Sequence, residues 1–328
     1  MKEWQSDVLA VQPDADAQEA VRDRINDIVR PTGSFDRLDA LVVWLAGWQR
    51  TEHPHIDHPA VIVFAGDHGV VVENVSQYPT TATAVAIRMI SGGHGTIPVL
   101  ANEVGASLTV VDCGVGNQTE NLRTASALTE EQMQQAWDQG IDVVRNLPET
   151  TDLLLLGDVG IGNTTSAAAI ACALLGWDPD LVGRGTGVDD ETLARKRAVV
   201  SDAVFGRSLM EPLECLQVLG GSELVAVAAA TVEARRRSIP MVLDGYGATA
   251  AVAPLEMILS GVLDHTIAGH LSSEPGHHKL LVAIKKEPLL DFHLGLGQAS
   301  GAVMTIPILR MAIRAVLDVS TATEVRQR

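Results

Sequence analysis

The chain has 328 residues, 46% of them apolar, enough for one large α/β domain or one domain with a small appendage. With 41 Asp and Glu against 24 Lys and Arg, the formal net charge is −17. A surface this acidic repels nucleic acid and anionic membranes and sets both aside as partners, while a local pocket of backbone N–H groups can still hold a phosphorylated small molecule. Aromatic residues are only 3%, so Ala, Val, Leu and Gly must fill the core, as in parallel strands buried under helices.

The N-terminus, MKEWQSDVLAVQPDADAQEA, has no apolar signal-peptide core. Cys113, Cys172 and Cys215 are too widely spaced for a disulfide framework or a CxxC site and read as buried thiols in a reducing cytoplasm. The longest apolar stretch, Ala167 to Trp177, is too short to span a membrane.

Residues 1 to about 58 read as amphipathic helices, Gln18 to Val29 and Phe35 to Trp48. The loop Arg30-Pro31-Thr32-Gly33-Ser34 between them ends in a candidate N-cap serine. His53, His55 and His58 follow, broken by Pro54 and Pro59. Without accompanying Cys or acidic residues they read as a solvated linker rather than a metal site. From residue 59, short apolar runs recur: AVIVFA (60–65), SLTVVD (107–112), DLLLLG (152–157), PMVLDG (240–245) and HTIAGH (265–270). Helical stretches separate them, which predicts a doubly wound parallel sheet. Ligands in such folds bind beyond the carboxyl ends of the strands, where Asp67, His68, Asp112, Asp158, Asp244 and His270 fall. Ser300 to Val319 reads as a final helix kinked at Pro307, and Thr321 to Arg328 as a frayed tail.

Among the loops, Gly157-Asp158-Val159-Gly160-Ile161-Gly162-Asn163-Thr164-Thr165-Ser166 carries the strongest signal. Glycines let the backbone approach an anion, and a helix N-terminus offers free N–H groups with about half a unit of positive charge. Thr164, Thr165 and Ser166 add hydroxyls. The segment is neither a Walker A loop nor GxGxxG, which argues against a dinucleotide-dependent oxidoreductase. Weaker signals are Gly183-Arg184-Gly185-Thr186-Gly187, with Arg184 or Lys196 as phosphate partners, and Gly220-Gly221-Ser222-Glu223, where Ser222 and Glu223 are candidate helix caps. Gly269 to His278 holds three histidines, but their spacing fits no helical zinc pair.

These segments, in order along nearly the whole chain, resemble the nicotinate-nucleotide:dimethylbenzimidazole phosphoribosyltransferase family. The resemblance runs through PTGSFDRL (31–38), GDHGV (66–70), SQYP (76–79), GDVGIGNTTSAAA (157–169), GRGTG (183–187), GGSEL (220–224), DGYGATAA (244–251), SSEPGH (272–277) and LGLGQASGA (294–302). It implies a Rossmann-like parallel sheet with helices on both faces (59–302), a small helical domain from the two chain ends (1–58 and 303–328), and a homodimer. It implies transfer of ribose 5-phosphate from nicotinate mononucleotide to a benzimidazole-like base, releasing nicotinate, without metal or cofactor. Gly160, Gly162, Asn163, Thr164 and Thr165 would bind the donor phosphate and ribose, with Lys196 and Gly221. Ser76, Tyr78 and Thr80 would flank the acceptor base, and Asp158 and Gln298 would occupy the catalytic positions. The chain departs from the family pattern where the resemblance places the reaction. Gln298 stands for a glutamate proposed as general base, Ala299 for a glycine, Asp158 for a glutamate and Thr80 for a glutamine. Two alternatives follow: a weakened or silent relative that binds a nucleotide or partner, and a transferase with a different aromatic acceptor.

Overall fold

The computed structural model describes residues 4–205, 207 and 210–327. Six strands form one all-parallel sheet: β1 (Pro59–Ala65), β2 (Ser107–Asp112), β3 (Leu153–Val159), β4 (Met241–Leu243), β5 (Thr266–Ser272) and β6 (Pro288–Leu294), in the order β2-β1-β3-β4-β5-β6. The sequence expectation of an α/β parallel sheet with helices on both faces holds. The first five strands fall on the five apolar runs.

β6 is the strand the sequence does not announce. It is an edge strand whose Asp291, Phe292 and His293 face solvent, so PLLDFHL never becomes the continuous apolar run of a central strand.

The sheet sits between two cores, and the period-2 alternation of the strands feeds both. Ile62, Phe64, Leu154, Leu156, Met241 and Leu243 point to one, together with the helices Asn163–Leu175, Ser222–Arg236 and Tyr246–Ile258. Val61, Val63, Leu153, Leu155 and Val242 point to the other, with side chains from the helices Ala15–Asp27, Asp36–Gln49, Thr96–Glu103 and Ile306–Leu317. The chain ends meet on this second face. Arg24 donates to the carbonyls of Val316, Leu317 and Val319, and Ile28 bridges Thr321.

Several local expectations are corrected. Ser34 caps nothing: Phe35 occupies the N-cap position of Asp36–Gln49, without a side-chain cap. Pro307 does not kink one long helix. The chain forms Ser300–Val303, turns, and restarts at Ile306–Leu317 with proline in the first turn, where its missing N–H is harmless. The tail is not frayed over residues 322–327 but forms the helix Ala322–Gln327, in which Glu324 and Thr321 exchange bonds to each other's backbone N–H. Residues 1–3 and 328 lie outside the described residues. Ser300–Leu317 is, by length and composition, apolar enough to cross a membrane, but 56% of it is buried within the fold.

The connection reverses direction at β1, whose neighbours are β2 on one side and β3 on the other. This is the switch point at which α/β sheets open a crevice at their carboxyl edge.

Candidate active site

A cavity of about 380 Å³ opens at the carboxyl ends of β3 to β6. Asp158, Gly160, Asn163 and Thr164 line it from the β3 turn, Asp244 to Gly247 from β4, and His270, Ser272 and Glu274 from β5. Leu294 to Gln298 close it from β6, and Tyr78, Ala82 and Ala86 add largely apolar surface beside Thr83, whose Oγ1 accepts from the Ile161 N–H at 3.2 Å.

Of the residues singled out in the sequence, Asp158, Gly160, Asn163, Thr164, Tyr78 and Gln298 therefore reach one cavity. Lys196 lies just beneath it: its buried ammonium donates to Thr164 Oγ1 at 2.8 Å. Gly162, Thr165, Gly221, Ser76 and Thr80 are not in the lining. Thr165 is buried. Ser76 Oγ accepts from the Tyr78 N–H within its own loop, and Thr80 begins the helix Thr81–Ser91.

The β3 turn explains its glycines. Gly162 has φ of +97°, which an L side chain rarely adopts, and a Cβ there would come within 3.1 Å of His68. Asn163 then starts the helix. Its Nδ2 donates to Asp158 Oδ2 at 2.7 Å, and its Oδ1 accepts from the Thr164 N–H at 2.8 Å. One asparagine thus ties the carboxylate to the helix start. Thr164, Thr165 and Ser166 part company: only Thr164 lines the cavity, while Ser166 Oγ pairs with His68 Nδ1 at 2.9 Å.

The electrostatics follow from burial. Burial raises Asp158 to about 7, helped by the nearby charge of Glu223 and opposed by the Asn163 hydrogen bond. Burial likewise raises Asp244 to about 7, although backbone N–H groups, among them those of Ala299 and Ala302 at 3.0 Å, favour its charged form. Lys196 is lowered by burial to about 8, with Glu274 acting the other way. His270, lowered by burial to about 4, is a neutral imidazole in the wall. Two carboxyls and an amine thus titrate near neutrality around one cavity, as functional sites often arrange.

The Gln298 segment is held tightly. Its N–H donates to the Asp158 carbonyl at 3.1 Å, and Gln298 and Ala299 both sit at left-handed φ, 66° and 64°. The turn crosses β3 so closely that a Cβ on Gly157 would lie 2.0 Å from the Ala299 nitrogen.

Sequence reasoning missed Glu223 and His68 as partners. Glu223 does not cap its helix, since Gly221 holds the N-cap position without a side-chain bond. Instead its Oε1 meets His68 Nε2 at 2.6 Å, both side chains being buried. No local spacing joins residues 155 positions apart; only the strand-end rule, which put His68 at the carboxyl edge, hinted at it.

With this geometry in view, comparison with known proteins is specific. A family model described as Phosphoribosyltransferase matches residues 10–326. A Ruegeria pomeroyi protein named nicotinate-nucleotide–dimethylbenzimidazole phosphoribosyltransferase is 40% identical over 313 residues, covering 95% of this chain and 92% of its own. One of the same name from Mesorhizobium japonicum is 40% identical over 300 residues, covering 90% of this chain and 88% of its own. The crystal structure of CobT from Thermus thermophilus superposes with a TM-score of 0.90 at 38% identity, covering 95% of this chain and 98% of that one.

The match places the chain among the phosphoribosyltransferases. Within that class it belongs to the nicotinate-nucleotide–dimethylbenzimidazole phosphoribosyltransferase family, and its all-parallel sheet is that of the solved CobT.

Proposed function

We propose that the protein transfers ribose 5-phosphate from nicotinate mononucleotide to an aromatic base of the dimethylbenzimidazole type, releasing nicotinate and forming an α-ribazole phosphate. The observation that carries this reading is the β3 turn. It brings a glycine-flanked helix start, Thr164 and the buried Lys196 to a cavity that Tyr78, Ala82 and Ala86 also line with largely apolar surface. That polarity suits a phosphorylated donor beside a flat aromatic acceptor.

The chemistry asks little of the leaving group, because the nicotinate nitrogen of the donor is already a cationic pyridinium. The protein must hold the phosphate, align the acceptor nitrogen with C1′, and accept the proton that the base loses as it is alkylated. Gln298 can hydrogen-bond to that proton but cannot take it. Asp158 lines the same cavity with a carboxyl raised to about 7, close to the best value for a base working at neutral pH, and we assign it the proton. Gln298 then orients the acceptor. Gly162 acts through the shape of the turn, and the roles first assigned to Thr165, Gly221, Ser76 and Thr80 become supporting ones, behind or beside the lining.

The decisive experiment is chromatography of the purified protein with nicotinate mononucleotide and a panel of benzimidazoles, purines and phenols. Nicotinate should appear together with a new riboside phosphate for at least one acceptor. No nicotinate with any acceptor at high protein concentration would sink the active-enzyme reading and leave the silent-relative alternative, which Gln298 favours. The same reading takes the protein to be a cytoplasmic homodimer, and a single-chain mass in sedimentation would refute the dimer.

A further inference from the structure

Glu223, His68 and Ser166 form a buried row outside the cavity lining. They come from three segments: the turn after β1, the first turn of Asn163–Leu175 and the first turn of Ser222–Arg236. Glu223 Oε1 lies 2.6 Å from His68 Nε2, and Ser166 Oγ lies 2.9 Å from His68 Nδ1. The order acid, imidazole, hydroxyl is that of a hydrolase triad. Here the three side chains are at most 1% exposed and none lines the cavity, so no substrate carbonyl can reach the serine.

What the imidazole does touch is the β3 turn. A methyl group on Gly160 would come within 3.3 Å of the ring atoms Cδ2 and Nε2, and one on Gly221 within 2.4 Å of Cε1. The ring is thus gripped between Gly221 and the turn that leads to Asn163 and Thr164. Its bond to Ser166 fixes it to the first turn of the same helix.

We infer that His68 is a positioning residue for the donor phosphate. It holds the Gly160–Gly162 turn in the shape that presents the helix start to an anion, and its Nε2 is the hydrogen-bond partner of Glu223 behind the turn. The inference rests on the phosphate reading given under Proposed function. Burial alone would lower the imidazole's pKa. The hydrogen-bonded Glu223, with smaller help from Asp158 and Asp67, outweighs it and holds the ring above its ordinary value. Glu223 Oε2 has no hydrogen-bond partner among the described residues. Without the imidazole, Glu223 would stand unpaired behind the phosphate and repel it.

The test is calorimetric titration of the full-length protein with nicotinate mononucleotide and with nicotinate riboside, which lacks only the phosphate. His68→Ala should weaken the nucleotide about tenfold or more and the riboside less than about twofold. The double variant His68→Ala with Glu223→Ala should regain part of that loss, because the orphaned carboxylate is gone. Equal losses on both ligands, or a double variant no better than the single one, would overturn the inference. If His68→Ala does not fold, Ser166→Ala loosens the ring from the helix and should weaken the nucleotide about threefold with the riboside unchanged. Equal weakening of both ligands by that variant, or no change in either, would overturn it as well. A parent protein that binds nucleotide no more tightly than riboside fails at the phosphate reading itself, which is separable from any difference among the variants.

Discussion

The two ends of the cavity obey different rules. At the β3 turn, glycines, Asn163, Thr164, Lys196 and the His68 row interlock, and a side chain added at Gly160 or Gly162 would meet the Gly66 carbonyl or His68. At the β6 turn, Gln298 is half-buried and held mainly by its backbone, through the N–H to Asp158, while its amide makes no hydrogen bond among the described residues. A site built from backbone shape tolerates little change, whereas one built from a single side-chain functional group can be exchanged without disturbing the fold. The β3 end is therefore the less exchangeable of the two.

The comparison breaks most sharply at Asp158, which touches both ends. If it takes the proton, Asp158→Asn should lower kcat by about 10²–10⁴-fold, measured as nicotinate release. The parent's rate should rise with pH through about 7 as Asp158 ionises, and the variant should lose that rise. A variant with near-parental rate and profile would assign the proton elsewhere. The same carboxyl leaves a mark on stability. Its folded pKa lies above the unfolded value of 3.8, so its stabilising contribution is complete below about pH 4 and is lost as pH rises through 7. Asp158→Asn should melt above the parent at pH 8, with the gap closing as the pH is lowered toward 4.

Lys196→Met tests the donor end alone. The methionine fills the buried volume but removes the ammonium that backs Thr164, and kcat/KM for nicotinate mononucleotide should fall about 10²-fold through a raised KM. An unchanged KM would move the phosphate away from this end.

Gln298→Glu asks the converse of the acceptor end, by supplying a side chain able to take a proton. Transfer to dimethylbenzimidazole should rise about tenfold or more, with the lower limb of the pH profile moving down toward the ordinary glutamate range. An inert variant would show that the acceptor wall, including Thr80 and Tyr78, has diverged along with the base.

How much of this was legible in the sequence follows the same division. The β3 turn could be read because its physics is local: a strand, glycines, then a helix start. Asp158, Asp244 and His270 could be placed at one edge because the strand-end rule collects them. Glu223 could not be read, because its partner is set by how two helices pack on β1, and Ser-Glu after glycine is also what a cap looks like. β6 was missed because an edge strand beside a cavity need not be apolar on both faces. Thr165 and Ser166 were over-read for a related reason. A hydroxyl at a helix start is visible in sequence, but the face it takes on the helix depends on what lies behind it.

The smallest expected effect tests how strained the β6 turn is. Ala299 sits at φ 64° with its methyl fully buried in the core beneath the sheet. Replacing it by glycine relieves a left-handed conformation that disfavours a side chain by about 1–2 kcal/mol. Against that, it gives up a buried methyl worth about 0.8 kcal/mol and adds about 0.4–1 kcal/mol of unfolded-chain entropy. The terms nearly cancel. Ala299→Gly should therefore change the unfolding free energy by less than about 1 kcal/mol in denaturant titration, with the slope unchanged. A loss of about 2 kcal/mol or more would mean that the methyl braces the turn against β3 at Gly157, where the clearance is already small. The β6 end would then be as closely built as the donor end, and its freedom to change would be confined to the single amide of Gln298.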